Sequence, residues 1–234
     1  RTVAMDDEHA TEIALLRRYY YSSGTASELS RLVAFYLAER RTFEADYFLQ
    51  RWGSAEGGAT LPPSLRGILS AELAAQQTGD ESGANRILAQ VAIDPLQGAS
   101  DFESAELEGW EGDRAVFLAG AAPGLKGLRG QHRQGVLSSA GRRDAGRGEL
   151  TSREFPIEGR LMSLLVGGGS ASRKVGVELW VDGEVQFAAA GNDSDNLMPV
   201  FWDVARFEGK LGRLRVFDRS TRRHVLLDRV LLWR

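Results

Sequence analysis

The chain divides by hydrophobic period. Up to about residue 95, apolar positions recur every three to four residues, as on one face of a helix. The pattern predicts helices over 6–21 (Ile13, Leu16, Tyr20), 25–39 (Leu29, Leu32, Val33, Phe35, Tyr36), 42–52 (Phe43, Tyr47, Phe48) and 63–77, with a last one between Asp80 and Pro95. Thr25-Ala-Ser-Glu28 reads as a capping box opening the second of these. Pro62-Pro63 stand where a helix starts without losing a hydrogen bond. From about Asp101 the period falls to two. Val175, Val177, Leu179 and Val181 share one face of a strand, and Asp182-Gly183 supplies a hairpin turn before Val185 and Phe187. Further strands are expected over 148–157, 164–169, 199–204, 211–217 and 224–233. The last is apolar on both faces (Leu226, Leu227, Val230, Leu231), as a strand covered on two sides requires.

Glycine usage agrees with the change of period: 8 of the 27 glycines lie in residues 1–100 and the other 19 beyond. The expected fold class is therefore α+β in two domains. Residues 1–97 form α-helical hairpins, and residues 98–234 an antiparallel jelly-roll-like β-sandwich. The helical part repeats a helix–turn–helix rhythm around Ala45 and Ala84, and it resembles tetratricopeptide-type hairpins over about 27–95. Either a repeat of that kind or a plain helical bundle suits a protein-contacting surface.

Composition narrows the function. With 234 residues, 43% hydrophobic and 26% charged, the chain can bury a real core. A net charge of −3 argues against nucleic acid as a partner. No apolar run is long enough to span a bilayer as a helix. The absence of Cys excludes disulfides, thiolate metal sites and Cys nucleophiles. No GxSxG, HExxH, Walker or dinucleotide motif occurs, and the three histidines (His9, His132, His224) lack metal-ligand spacing. No enzyme and no cofactor is expected. Because the first residue is Arg1, an upstream segment is expected, with a cleaved signal or a membrane anchor as the natural candidate and a trimmed start or a disordered tail as equal alternatives.

Residues beyond Asp101 carry a further likeness. Asp101-Phe-Glu with Gly109-Trp110, Gly148-Glu-Leu-Thr-Ser-Arg-Glu-Phe155, Leu165-Val-Gly-Gly-Gly169, Leu179-Trp-Val-Asp-Gly183, Trp202-Asp-Val204 and His224-Val-Leu-Leu-Asp228 follow one another over about 130 residues. In that order they resemble the β-sandwich module appended to bacterial levanases and found in other secreted bacterial proteins. The resemblance implies a jelly-roll, carbohydrate-module-like fold in an extracytoplasmic setting, without the glycosidase itself. Where such modules carry Gly-Trp-Gly before the final strand, this chain has Ser220-Thr-Arg-Arg-His224.

Several residues are candidates for contact. Trp110, Trp180 and Trp202 could form a sugar-stacking platform, with Trp180 the most available because it lies opposite the Val face of its strand; more often such aromatics fill a core or an inter-domain seam. Trp52, Tyr47 and Phe48 are the side-chain types that anchor protein interfaces. The Gly-rich loop 126–147 gathers Lys126, Arg129, Arg133, Arg142, Arg143 and Arg147 against Asp144 alone. It suits anionic lipid head groups or an acidic partner surface, or else pairs with the acid-rich segment 94–113. The loop 191–196 concentrates oxygen donors, with Asp193 and Asp195 as Ca²⁺ candidates. The leading functional expectation is a non-catalytic scaffold subunit that stabilises a larger, membrane-associated protein assembly. The alternative is a carbohydrate-binding module protein of the cell envelope.

Overall fold

The structure, a computed structural model, describes residues 15, 26–52, 61, 63–79, 92–121, 125, 128, 131, 134–140 and 147–233. The chain divides into two units, Arg1–Ala92 and Ile93–Arg234. The expected helices over 6–21 and 80–95 fall largely outside the described residues.

Three helices are described in the first unit: α1 (Ala26–Ala38), α2 (Thr42–Trp52) and α3 (Pro63–Thr78). Leu29, Leu32, Val33, Phe35 and Tyr36 of α1 are all buried, as the apolar period predicts. Helix α1 closes through a left-handed residue, Arg40 (φ 58°), with Arg41 N–H donating back to the Tyr36 carbonyl at 2.8 Å. Pro63 opens α3 and Gly79 (φ 75°) follows its end, the usual division of labour between these residues. Leu65, Leu69 and Leu73 form its buried stripe, and the Gln76 amide donates to the Leu37 carbonyl at 2.9 Å.

The second unit is a β-sandwich, which makes the chain α+β. Its strands are β1 (Ala92–Ile93), β2 (Trp110–Gly112), β3 (Leu137–Ser138), β4 (Gly148–Ser152), β5 (Phe155–Pro156) and β6 (Leu161–Gly168). They continue as β7 (Val175–Val181), β8 (Glu184–Ala189), β9 (Ser194–Asp203), β10 (Leu211–Asp218) and β11 (Val225–Trp233). One sheet has the order β1-β11-β6-β9, with β3 also on β11; the other runs β2-β4-β10-β7-β8, with β5 also on β10. The strand pairs from β2–β4 to β6–β11 are antiparallel.

One hydrophobic core fills the space between the sheets. Met162, Leu164 and Val166 of β6 meet Val177, Leu179 and Val181 of β7, with Leu214 and Val216 of β10 and Leu227 of β11. Trp110 and Trp202 belong to this core; the Trp110 indole N–H donates to the Ala99 carbonyl at 2.7 Å. A polar clasp joins the sheets near the β10–β11 crossing. Ser139 Oγ–H donates to Asp218 at 2.7 Å while accepting from the Val225 N–H at 2.9 Å.

The two outer faces differ, and that difference places the site. On the first sheet, Leu226 packs outward against Val136 and Leu197, with Leu125, Leu128 and Leu165 beside them. That cover explains why the last strand is apolar on both sides. On the second sheet, the outward positions of β4, β7 and β10 are largely polar: Glu149, Thr151, Glu178, Trp180, Arg213 and Arg215.

Candidate functional site

Strand register assembles the outer face of the second sheet. Arg213 pairs with Trp180, and Arg215 sits between Glu178 on β7 and Thr151 on β4. Because side chains alternate, every second residue of these strands is sent outward while Leu150, Leu179, Leu214 and Val216 go into the core. Asp182 and Gly183, both at positive φ (55° and 79°), make the tight β7–β8 turn at the rim of this face.

Trp180 is half-buried and held in a fixed orientation. Its indole N–H donates to Glu178 Oε2 at 2.9 Å, and the Arg215 guanidinium lies 4.6 Å from its ring centroid. Arg215 in turn reaches Glu178 at 2.8 Å and Glu149 at 3.6 Å. The Arg215 and Glu178 side chains are only 21% and 13% exposed, so this frame is shielded from solvent more than an ordinary surface pair. Beyond it, Arg213 pairs with Glu154 at 3.1 Å and Lys210 with Asp182 at 2.6 Å.

Beside this frame is an open cleft of about 290 Å³, with Trp180 and Leu211 as its apolar elements and Glu149, Glu154, Asp182, Arg213 and Arg215 among its polar ones. Leu211 is 55% exposed. A flat aromatic ring and an exposed aliphatic, ringed by donors and acceptors, match a ligand with an apolar face and many hydroxyls.

A second cleft, about 440 Å³, lies at the loops joining β6, β9 and β11, between Gly168, Asp193, Asp195, Arg223 and His224. Its ionisable groups are closed on one another. Asp193 accepts from the Ser170 N–H at 2.9 Å, from the Ser170 hydroxyl and from Arg223. Asp195 meets His224 Nε2 at 2.8 Å. The two Ca²⁺ candidates are thus engaged by Arg223 and by the His224 ring. Among the described residues, no three His, Asp or Glu side chains gather as a metal cage.

The other expected contact residues are scattered. Tyr47 is 48% exposed on α2, and Phe43, one turn before it, is 82% exposed. Phe48 is buried and stacks on Tyr36 with ring centroids 5.6 Å apart, so it serves helix packing and not an exposed surface. Trp52 ends α2, and its side chain lies outside those described. Arg129, Arg142 and Arg143 of the basic loop 126–147 also lie outside the described residues. Of the expected contact residues Trp180 lines this cleft; Glu178, Arg215, Arg213 and Glu154 beside it were not among those expected. A signal for three of them was present: Glu178, Arg213 and Arg215 are charges at outward positions of two otherwise apolar strands, whereas Glu154 lies in the β4–β5 connection.

No family model matches the chain. A protein of Aspergillus rugulosus named as a candidate glycosyl hydrolase, ecdE, is 28% identical over 123 residues, which is 51% of this chain. The chain spans 18% of the length of that curated relative. Among solved structures, the chain is similar to the carbohydrate-binding module TmCBM61, solved with β-1,4-galactotriose. Its TM-score is 0.45 at 14% identity, covering 61% of this chain and 100% of that one. The K1 cleaved adhesin domain of Lys-gingipain from Porphyromonas gingivalis W83 gives a TM-score of 0.40 at 15% identity, covering 56% and 94%. The CBM22-1 xylan-binding domain of Xyn10C from Paenibacillus barcinonensis gives 0.32 at 13% identity, covering 57% and 90%. These are β-sandwich binding and adhesin domains, without specific likeness to a levanase-appended module. Among the described residues, no helix is long and apolar enough to cross a membrane.

Proposed function

We propose that the unit Ile93–Arg234 is a non-catalytic carbohydrate-binding module that receives glycans on the outer face of its β2-β4-β10-β7-β8 sheet. One observation carries the reading: Trp180 is pinned by Glu178 and Arg215 beside an open cleft rich in donors and acceptors. A ring already fixed loses little freedom when a sugar face lies on it, so binding energy is not consumed in ordering the platform. The match to a segment of a protein named for glycosyl hydrolysis supports the same direction, since 18% of that protein is the size of an appended module.

The carboxylates of the cleft argue for binding over cleavage. Hydrolysis by a carboxylate pair needs one acid to give a proton and another to attack or activate water. Here Glu178 and Glu149 are both engaged by Arg215, and Glu154 by Arg213. An extracytoplasmic location accompanies this reading, because that is where a glycan ligand is met.

The test is an array of neutral and charged glycans probed with the full 234-residue chain. Binding should appear and fall about tenfold or more in Trp180→Ala, whose half-exposed position tolerates the change. An array with no signal for the unaltered chain would overturn the reading.

A scaffold role for the helical part, with residues 1–97 as a tetratricopeptide-like domain touching a membrane-associated assembly, is a second proposal. Its support is the exposure of Phe43 and Tyr47, four residues apart and hence on one face of α2. Mild cross-linking of the native protein should then trap another protein subunit through α2. Recovery of the chain alone would sink that role.

A further inference from the structure

The charges around the Trp180 cleft select among glycans, an inference that rests on the binding reading above. Three carboxylates line the cleft, Glu149, Glu154 and Asp182, against two guanidinium groups, Arg213 and Arg215, leaving a net −1 among the described lining residues. Both guanidinium groups already carry a carboxylate partner. Arg213 is engaged by Glu154 at 3.1 Å, and Arg215 is shared between Glu178 at 2.8 Å and Glu149 at 3.6 Å. The nearby ammonium of Lys210 is also taken, by Asp182 at 2.6 Å. A carboxylate or sulfate entering here would compete with an existing carboxylate partner for the guanidinium charge and would meet carboxylates on both sides. Hydroxyls need displace nothing, since paired carboxylates keep spare lone pairs and paired guanidinium groups keep spare N–H donors.

We infer that the cleft takes uncharged saccharides and discriminates against uronate-bearing and sulfated ones. The lining acids are about half exposed or more: Glu149 50%, Glu154 54% and Asp182 64%. Their field is therefore screened by salt, and discrimination is strongest at low ionic strength.

The experiment measures the full chain against matched neutral and uronate-bearing trisaccharides, at low and at high salt, with Trp180→Ala alongside. Affinity for the neutral sugar should exceed that for the uronate by about fivefold or more near 20 mM salt, and the gap should narrow to under about twofold near 0.5 M. Replacing Glu154→Gln together with Asp182→Asn frees Arg213 and Lys210. The ratio of uronate to neutral affinity should then rise about fivefold or more at low salt. Both positions are exposed, and Asn accepts the positive φ of residue 182, so the fold is retained. Equal or tighter Trp180-dependent binding of the uronate by the unaltered chain overturns the selectivity and leaves the glycan site standing. If no saccharide binds in a Trp180-dependent manner, the site itself falls, and the selectivity with it.

Discussion

Gly168 shows how one residue at the end of a strand can hold three chain segments together. Its φ of 86° is already in the left-handed region, and a Cβ there would stand 2.3 Å from the His224 carbonyl oxygen. Gly191 closes on the Gly168 carbonyl in the same way, which lets the loops after β6, β8 and β10 converge at one corner. Gly209 makes an informative contrast. It has nearly the same φ, 82°, yet a Cβ at Gly209 meets nothing within 4 Å. Gly209→Ala therefore reports the backbone penalty alone, about 1–2 kcal/mol. Gly168→Ala adds the collision with backbone that cannot move without breaking the β6–β11 pairing, for a total of about 2–4 kcal/mol. Urea unfolding of the two variants should separate them by at least about 1 kcal/mol. Equal losses would mean that the corner opens without resistance.

At the scale of elements, what could be read in advance was whatever depends on local period and turn chemistry. Helix α2 has the expected limits of 42–52, α3 starts at the expected proline, and Asp182-Gly183 makes the expected hairpin. Strand β9 was legible only in its second half: it starts at Ser194 and not at Pro199. The proline misled because it reads as a boundary, but β9 lies at a sheet edge, where a missing N–H costs no ladder bond. Strand β11 conceals a different device. Val225 and Leu227 face the core, and so do Val230 and Leu232, which strict alternation forbids. A bulge between Asp228 and Leu231, with Arg229 at φ 43°, shifts the phase by one residue. Short strands such as β1, β2 and β3 carry too few residues to show a period at all. The Glu178–Arg215–Trp180 frame joins residues of β7 and β10 whose adjacency depends on register, which no single strand encodes. The outward placement of Trp180 could be read from its own strand; its partners could not.

At the scale of the molecule, the question is where the binding unit begins. Among the described residues, the sandwich core is built from residues from Ile93 onward, and the division between units falls between Ala92 and Ile93. The composition shift suggested a start at 98, but Leu96 is fully buried in the core and its carbonyl accepts from Arg153 at 2.6 Å. Asp94 fixes this turn, accepting from the Leu96 N–H at 2.9 Å and from the Gly98 N–H at 2.5 Å. A fragment of residues 93–234 retains these contacts; one of residues 98–234 leaves an empty leucine-sized slot in the core. Emptying such a slot costs about 2–5 kcal/mol, a large share of the stability of a domain this size. Unfolding in urea should therefore place the longer fragment above the shorter by that amount. The longer fragment should also keep the Trp180-dependent glycan binding of the full chain, because every residue of that cleft lies beyond 148. Identical stabilities would show that the turn before Gly98 adds nothing to the core, and a longer fragment that folds but fails to bind would show that the cleft is not sufficient by itself.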